Sequence, residues 1–169
     1  MTEFSHPIPV ADIGRNVRHH RIAMTVAEAA HVAKRLGVDE VRSLSAALTV
    51  AKRRGAVIVA GTFAAEIVQV CVVSLEPFVN PLAGEIDEIY KEPDDKAPAG
   101  EVAIDMDTPE PLEGDTLDLG ELVVQYLALE IDSHPRAPNA DLNDLEAPTV
   151  DGVDPTHPFA GLAKLQQKP

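Results

Sequence analysis

Residues 41–73 read "VRSLSAALTVAKRRGAVIVAGTFAAEIVQVCVV", two long runs rich in Val, Ile, Ala and Thr around the turn signal "RRG" at 53–55. In the first run Leu44, Ala46, Leu48 and Val50 alternate with other residues. That period of two gives a strand one apolar face. A second run of the same kind follows directly, so the pair predicts a long antiparallel hairpin over 41–53 and 56–73. A hairpin of this length dictates a chain folded around an antiparallel sheet. Gly61, inside the second run, predicts a bulge or bend there.

The flanking segments supply further strands and the helices. "VRHHRIAM" (17–24) reads as a short strand. "FVNPLAGEIDEIY" (78–90) reads as a returning strand interrupted near Pro81 and Gly84. "EFSHPIPVADI" (3–13), with Pro7 and Pro9, suits an edge strand or extended arm. A helix is expected over 25–37: Thr25 and Glu28 form a Thr-x-x-Glu capping box, Lys34 and Arg35 complement the helix dipole, and Gly37 stops the helix. A second helix is expected over 117–132. Asp118 and Glu121 cap it, Leu119, Leu122, Val123, Tyr126 and Leu127 share one face, and Pro135 ends the segment.

Between these elements the composition shifts. Residues 91–116 are acidic and rich in Pro and Gly, which reads as a mobile loop. Residues 136–169 read as a disordered acidic tail with one short apolar turn at 158–165. The apolar share is 45%, with aromatics at 4% and no Trp, so Val, Ala, Leu and Ile must build the core. Net charge is −14, unevenly spread. Residues 1–60 carry nine Lys/Arg and five Asp/Glu, whereas residues 61–169 carry five and twenty-three. A mildly basic folded face beside an acidic half follows from that split.

Several chemistries find little support. One cysteine leaves no internal disulfide. A zinc site needs four Cys or His ligands, yet His19 and His20 are adjacent in a strand and point to opposite faces. Asp105 and Asp107 lie in the acidic loop without a third ligand nearby. The strand neighbours of Cys71 on its own face, Phe63, Ile67, Gln69 and Val73, are mostly apolar. Apolar surroundings raise a thiol pKa, so a packed, inert Cys71 is expected. No phosphate-binding glycine loop or nucleophile elbow occurs. The longest apolar runs, such as "GAVIVAG" (55–61), are far short of a membrane span, so a cytoplasmic protein without membrane contact is expected.

Two candidate binding surfaces remain. Arg15, Arg18, Arg21, Arg42, Lys52, Arg53 and Arg54 are placed to form a basic patch at one end of the sheet, suited to RNA phosphates or simply solvated. Against RNA stand the acidic whole, with a pI of about 4.7, and the lack of an aromatic stacking platform. Phe159, Leu162 and Leu165 form the apolar turn near the end, docked on its own domain or held for a partner.

Three stretches together resemble the YceD family of large ribosomal RNA subunit accumulation proteins: "QVCVVSLEPF" (69–78), "LDLGELVVQYLALEIDSHP" (117–135) and the ending "HPFAGLAKLQ" (157–166). "EFSHPIPVADIG" is similar to alphaproteobacterial members. The resemblance marks Cys71, Glu76, Pro77 and Asp118 as family-motif positions of structural weight. It implies a role in accumulation of large-subunit (23S) rRNA and no reaction. Some members carry a Cys-x-x-Cys and a later Cys able to hold metal. Here Ser74 replaces the second Cys, so no metal or cofactor is expected.

The expectation is therefore one α+β domain over residues 1–135, an antiparallel, curved, barrel-like sheet with two packed helices. Functionally, a non-enzymatic ribosome-biogenesis factor is expected. Arg18, Arg21, Arg42, Lys52, Arg53 and Arg54 would contact precursor rRNA, and Phe159, Leu162 and Leu165 or the acidic loop would meet a basic ribosomal protein. DNA is not an expected partner. The alternative is an acidic protein-interaction module that binds a basic partner and has no RNA role.

Overall fold

The computed structural model describes residues 4–91, 110–112 and 114–140. Its centre is the expected hairpin. β3 (Glu40–Arg53) and β4 (Ala56–Val70) pair antiparallel from Arg53↔Ala56 to Glu40↔Val68. Arg54 (φ 53°) and Gly55 (φ 80°) make the connection. Two successive left-handed residues define a type I′ turn, whose twist matches that of paired strands. The bulge lies elsewhere than expected: register shifts between Val41 and Ser43, whereas Gly61 pairs regularly with Leu48 and Ile86. A Cβ at Gly61 would stand 2.2 Å from the Ala47 carbonyl oxygen and 2.9 Å from Leu48 Cα. The glycine is there for close backbone approach, not for a bend.

β5 (Pro77–Lys91) returns along all of β4, from Val70↔Pro77 to Ala56↔Lys91. The interruption expected at Pro81 and Gly84 does not occur. At Gly84 the space beside the strand is filled by Phe63, whose Cε1 would lie 2.7 Å from a Cβ there. Pro81 is accommodated by its parity. The Lys91 carbonyl accepts from the Leu112 N–H at 2.8 Å, on the side away from β4. Backbone direction alternates along a strand, so Pro81 also faces that side and its missing N–H takes nothing from the β4 ladder.

β2 (Arg18–Ala23) joins the other side of β3, and β6 (Glu110–Pro111) runs parallel to the last two residues of β5. The order β2-β3-β4-β5-β6 is open, since β2 and β6 do not pair. The barrel-like expectation is thereby corrected: a two-residue β6 offers too few backbone groups for closure. β1 (Pro7–Pro9) and β7 (Thr116–Asp118) form a separate two-stranded ribbon.

Two helices and residues from Phe4 to Ile13 cover one face of the sheet. α1 (Val26–Leu36) begins as the sequence suggests: the Glu28 carboxylate accepts from the Thr25 N–H at 2.7 Å and its hydroxyl at 2.6 Å. These bonds from Thr25 hold the Glu28 carboxyl below its ordinary pKa. Gly37, at φ 69°, ends the helix. α2 (Leu119–Glu130) is capped by Asp118, which accepts from the N–H groups of Gly120 and Glu121. Glu121 does not complete a capping box; its two carboxylate oxygens are gripped by the Arg35 guanidinium, tying α2 to α1.

Beneath the helices Leu44, Leu48, Val57, Val59, Ile67 and Ile86 meet Val32, Leu119, Val123 and Leu127, all within one buried cluster. Full burial of each such side chain is worth about 1.5–3 kcal/mol. Asp118 also fastens the opening segment, accepting from the Ser5 hydroxyl and from the His6 N–H at 2.8 Å. Burial pushes the Asp118 carboxyl up, but the bonds from Ser5, His6, Glu121 and Gly120 outweigh it and leave the carboxyl below its ordinary pKa.

Candidate nucleic-acid interface

The hairpin tip gathers positive charge from four parts of the chain. Lys52, Arg53 and Arg54 occupy the tip itself. The Lys52 N–H donates to the Gly14 carbonyl at 2.9 Å, which brings Arg15 alongside. Arg18 opposes Val50 at the start of β2, and Lys91 opposes Ala56 at the end of β5. Arg15, Arg18, Arg53, Arg54 and Lys91 are exposed. None of Arg15, Arg18, Arg53 and Arg54 forms a salt bridge with a described residue.

Arg21 stands farther down the edge strand, opposite Ala47. Arg42 does not belong to the group. It sits at the bulge and pairs with Glu40 at 3.3 Å. Eleven residues of extended chain separate it from Arg53, roughly 35 Å. Lys91 joins the tip unannounced by the sequence, because its place depends on β5 running unbroken beside β4.

Arg54 is unusual in its own right. It adopts the left-handed conformation at φ 53°, where Asn, Asp or Gly is the ordinary choice. A side chain with a Cβ there costs about 1–2 kcal/mol. The tip therefore keeps a cation where a smaller residue would be more stable.

Beside the tip, His20 meets His6 edge-on, ring centroids 6.0 Å apart. Burial, then the proximity of His6 and Arg18, lowers the His20 pKa.

Cys71 lies at the opposite end of β4. It is one residue beyond the strand, fully buried, inside a turn in which its N–H donates to the Glu76 carbonyl at 2.9 Å and its carbonyl accepts from the Leu75 N–H at 2.9 Å. Its sulfur accepts from the N–H groups of Val73 and Ser74 at 3.4 Å each and of Ala137 at 3.3 Å. The Val72 N–H adds a bond to the Pro135 carbonyl at 2.9 Å.

The expected upward pressure on the thiol is reversed. A hydrogen bond from the Ser74 side chain, then the Ser74 and Ala137 N–H groups, lower its pKa from 9.0 to about 7. Strand alternation could not reveal this, because the donors come from the turn and from a segment sixty-six residues away. Glu76 supplies the carbonyl that closes the turn, and Pro77 opens β5. Among the described residues no three of His, Cys, Asp and Glu gather as a metal site. Phe159, Leu162 and Leu165 lie outside the described residues, as do 92–109 of the acidic loop.

The architecture defines an α+β protein: an open antiparallel sheet covered on one face, with a cationic tip at one end of its central hairpin. Residues 59–166 match the family described as "Large ribosomal RNA subunit accumulation protein YceD", and the chain belongs to that family. The family's name ties it to accumulation of large-subunit rRNA, hence to ribosome biogenesis. The match opens inside β4, so the tip arginines precede it. No curated protein and no solved structure matches the chain. Among the described residues no helix is long and apolar enough to cross a membrane.

Proposed function

We propose that the protein supports accumulation of large-subunit rRNA by binding precursor RNA, without catalysing a reaction, and that the hairpin tip makes the contact. Arg15, Arg18, Arg53, Arg54 and Lys91 meet phosphates, with Arg21 extending the track along β2. The observation that carries this reading is Arg54: a cation kept at a backbone conformation that disfavours it, at an exposed tip, without a salt-bridge partner among the described residues. Such local cost is a mark of a functional position. Phosphate contact would give it a use, since each cation–phosphate contact releases a counterion and adds affinity at low salt.

Titration of a large-subunit rRNA transcript across a salt series tests the reading. The wild-type chain is expected to bind with a steep salt dependence. Arg53→Ala with Arg54→Ala is expected to reduce the slope by about 1 for each phosphate that is no longer neutralised. Equal affinity and slope for both proteins would remove the tip from the RNA contact. Co-sedimentation with precursor large subunits, abolished by the same pair of changes, would carry the result into the cell.

A further inference from the structure

β5 is an edge strand for most of its length. β4 pairs with its inner side throughout, whereas among the described residues β6 pairs with the other side at Tyr90 and Lys91 alone. The residues sharing Lys91's parity turn their N–H and C=O groups to that open side. In the first half of the strand this set includes Pro77 and Pro81, which have no N–H to offer and blunt the edge. From Ala83 to Ile89 the obstruction ends. Ala83, Glu85, Asp87 and Ile89 each carry a backbone N–H as well as a carbonyl on that side. Among the described residues the hydrogen bond to these outward groups comes from the Tyr126 hydroxyl, 3.2 Å from the Asp87 carbonyl but closer, at 2.9 Å, to the Glu88 carboxylate.

The side chains along this window are acidic on both faces of the sheet. Glu85 and Asp87 are exposed on the uncovered face. Glu88 stands on the helix-covered face, and Glu130 reaches the neighbourhood of Gly84. None of the four forms a salt bridge with a described residue.

We propose that the edge of β5 from Ala83 to Ile89 takes up an extended Lys/Arg-rich segment of a partner protein as an added strand. The backbone selects an extended chain, and β6 demonstrates that this edge accepts one. The charges select which chain. A second copy of β5 would set carboxylates opposite carboxylates, an unfavourable cross-strand pairing. RNA would meet the same repulsion. A segment with Lys or Arg at alternate positions would place its cations beside Glu85 and Asp87, one strand spacing away (about 4.8 Å). The site is separate from the hairpin tip, and it stands or falls without the RNA reading.

The test uses the full chain and a fluorescent decapeptide of alternating Lys and Thr, with a Glu–Thr peptide as control. Anisotropy is expected to show binding of the first peptide, weakened by salt, and none of the second. Amide exchange is expected to slow at Ala83, Glu85, Asp87 and Ile89 when the Lys–Thr peptide binds. Their even-numbered neighbours, already bonded to β4, should not change. Ala83→Pro removes one outward N–H without touching charge and is expected to weaken binding about five- to tenfold. Glu85→Lys with Asp87→Lys should weaken it further and flatten the salt dependence. The exchange measurement on the wild-type chain stands even if a variant fails to fold. Unchanged exchange at saturating Lys–Thr peptide would overturn the proposal. So would protection of these amides in the free protein, by its own chain, or protection that grows with protein concentration alone.

Discussion

The two ends of β4 close with turns of similar backbone cost and opposite setting. At one end Arg54 stands at φ 53°, at the other Leu75 at φ 58° with 75% of its surface exposed. The Leu75 turn is bolted to the rest of the chain through Cys71 Sγ, Glu76, Pro135 and Ala137. Its strain is offset by bonds within the fold. The Arg54 turn is joined to the chain through the Lys52–Gly14 bond, and Arg53 and Arg54 are exposed without a salt bridge to a described residue. One end spends its irregular backbone on joining two segments, while the other has no internal use for the residue that makes it irregular. That difference is why the tip, and not the cysteine, is assigned the functional contact.

The strongest way to break the comparison is to remove the strand pairing that both ends share. Gly61→Val is expected to destabilise by more than about 3 kcal/mol, read by denaturant melts, because the new atoms have only backbone to displace. Next comes the bolted end. Cys71→Ala leaves three N–H groups without their sulfur acceptor and should lower the melting temperature by several degrees.

The effect should depend on pH in a fixed direction. The folded thiol pKa is about 7, below the ordinary 9.0, so its stabilising contribution is full above pH 9 and fades as pH falls through 7. The wild-type advantage over Cys71→Ala should therefore grow from pH 7 to pH 9. A flat difference across that range would mean that the sulfur bonds do not favour the thiolate.

Smaller effects sharpen the contrast. Leu75→Gly and Arg54→Gly should each raise stability, by about 0.5–1 kcal/mol, by relieving a left-handed residue. Only the second should weaken RNA binding. If Arg54→Gly stabilises and RNA affinity is untouched, the two turns are equivalent and the tip loses its assignment. Smallest of all, Arg35→Ala should cost less than about 1 kcal/mol and leave RNA binding unchanged, since the Arg35–Glu121 pair is partly exposed and joins the two helices rather than the hairpin tip.

Much of this framework was legible in the residues. The hairpin, its turn, the Thr25–Glu28 cap and the Asp118 cap follow from local rules acting over a few residues. What escaped depends on which strand lies on which side. Pro81 argues for a break until it is known that its nitrogen faces an open edge. Gly61 suggests a bend until Ala47 is seen pressing against it. The chemistry of Cys71 cannot be read without Ala137, and Lys91 joins the tip only through the full length of β5. Arg42 was misplaced because a string of arginines says nothing of the distance that a fourteen-residue strand puts between them.

The bonds that tie Ser5 and His6 to Asp118 span more than a hundred residues of chain. In a growing polypeptide, the β3–β4–β5 meander can pair once residue 91 has emerged, since each strand lies beside its neighbour in sequence. Its helix-facing side is covered only in part, by α1 and the opening segment, until α2 arrives. Synthesis of residues 92–127 takes roughly 2–7 s at 5–20 residues per second. For that interval the nascent sheet presents the part of β4 and β5 that α2 will cover to whatever surrounds the exit tunnel, so the order of synthesis gives this chain a timed need for shelter that its finished structure conceals.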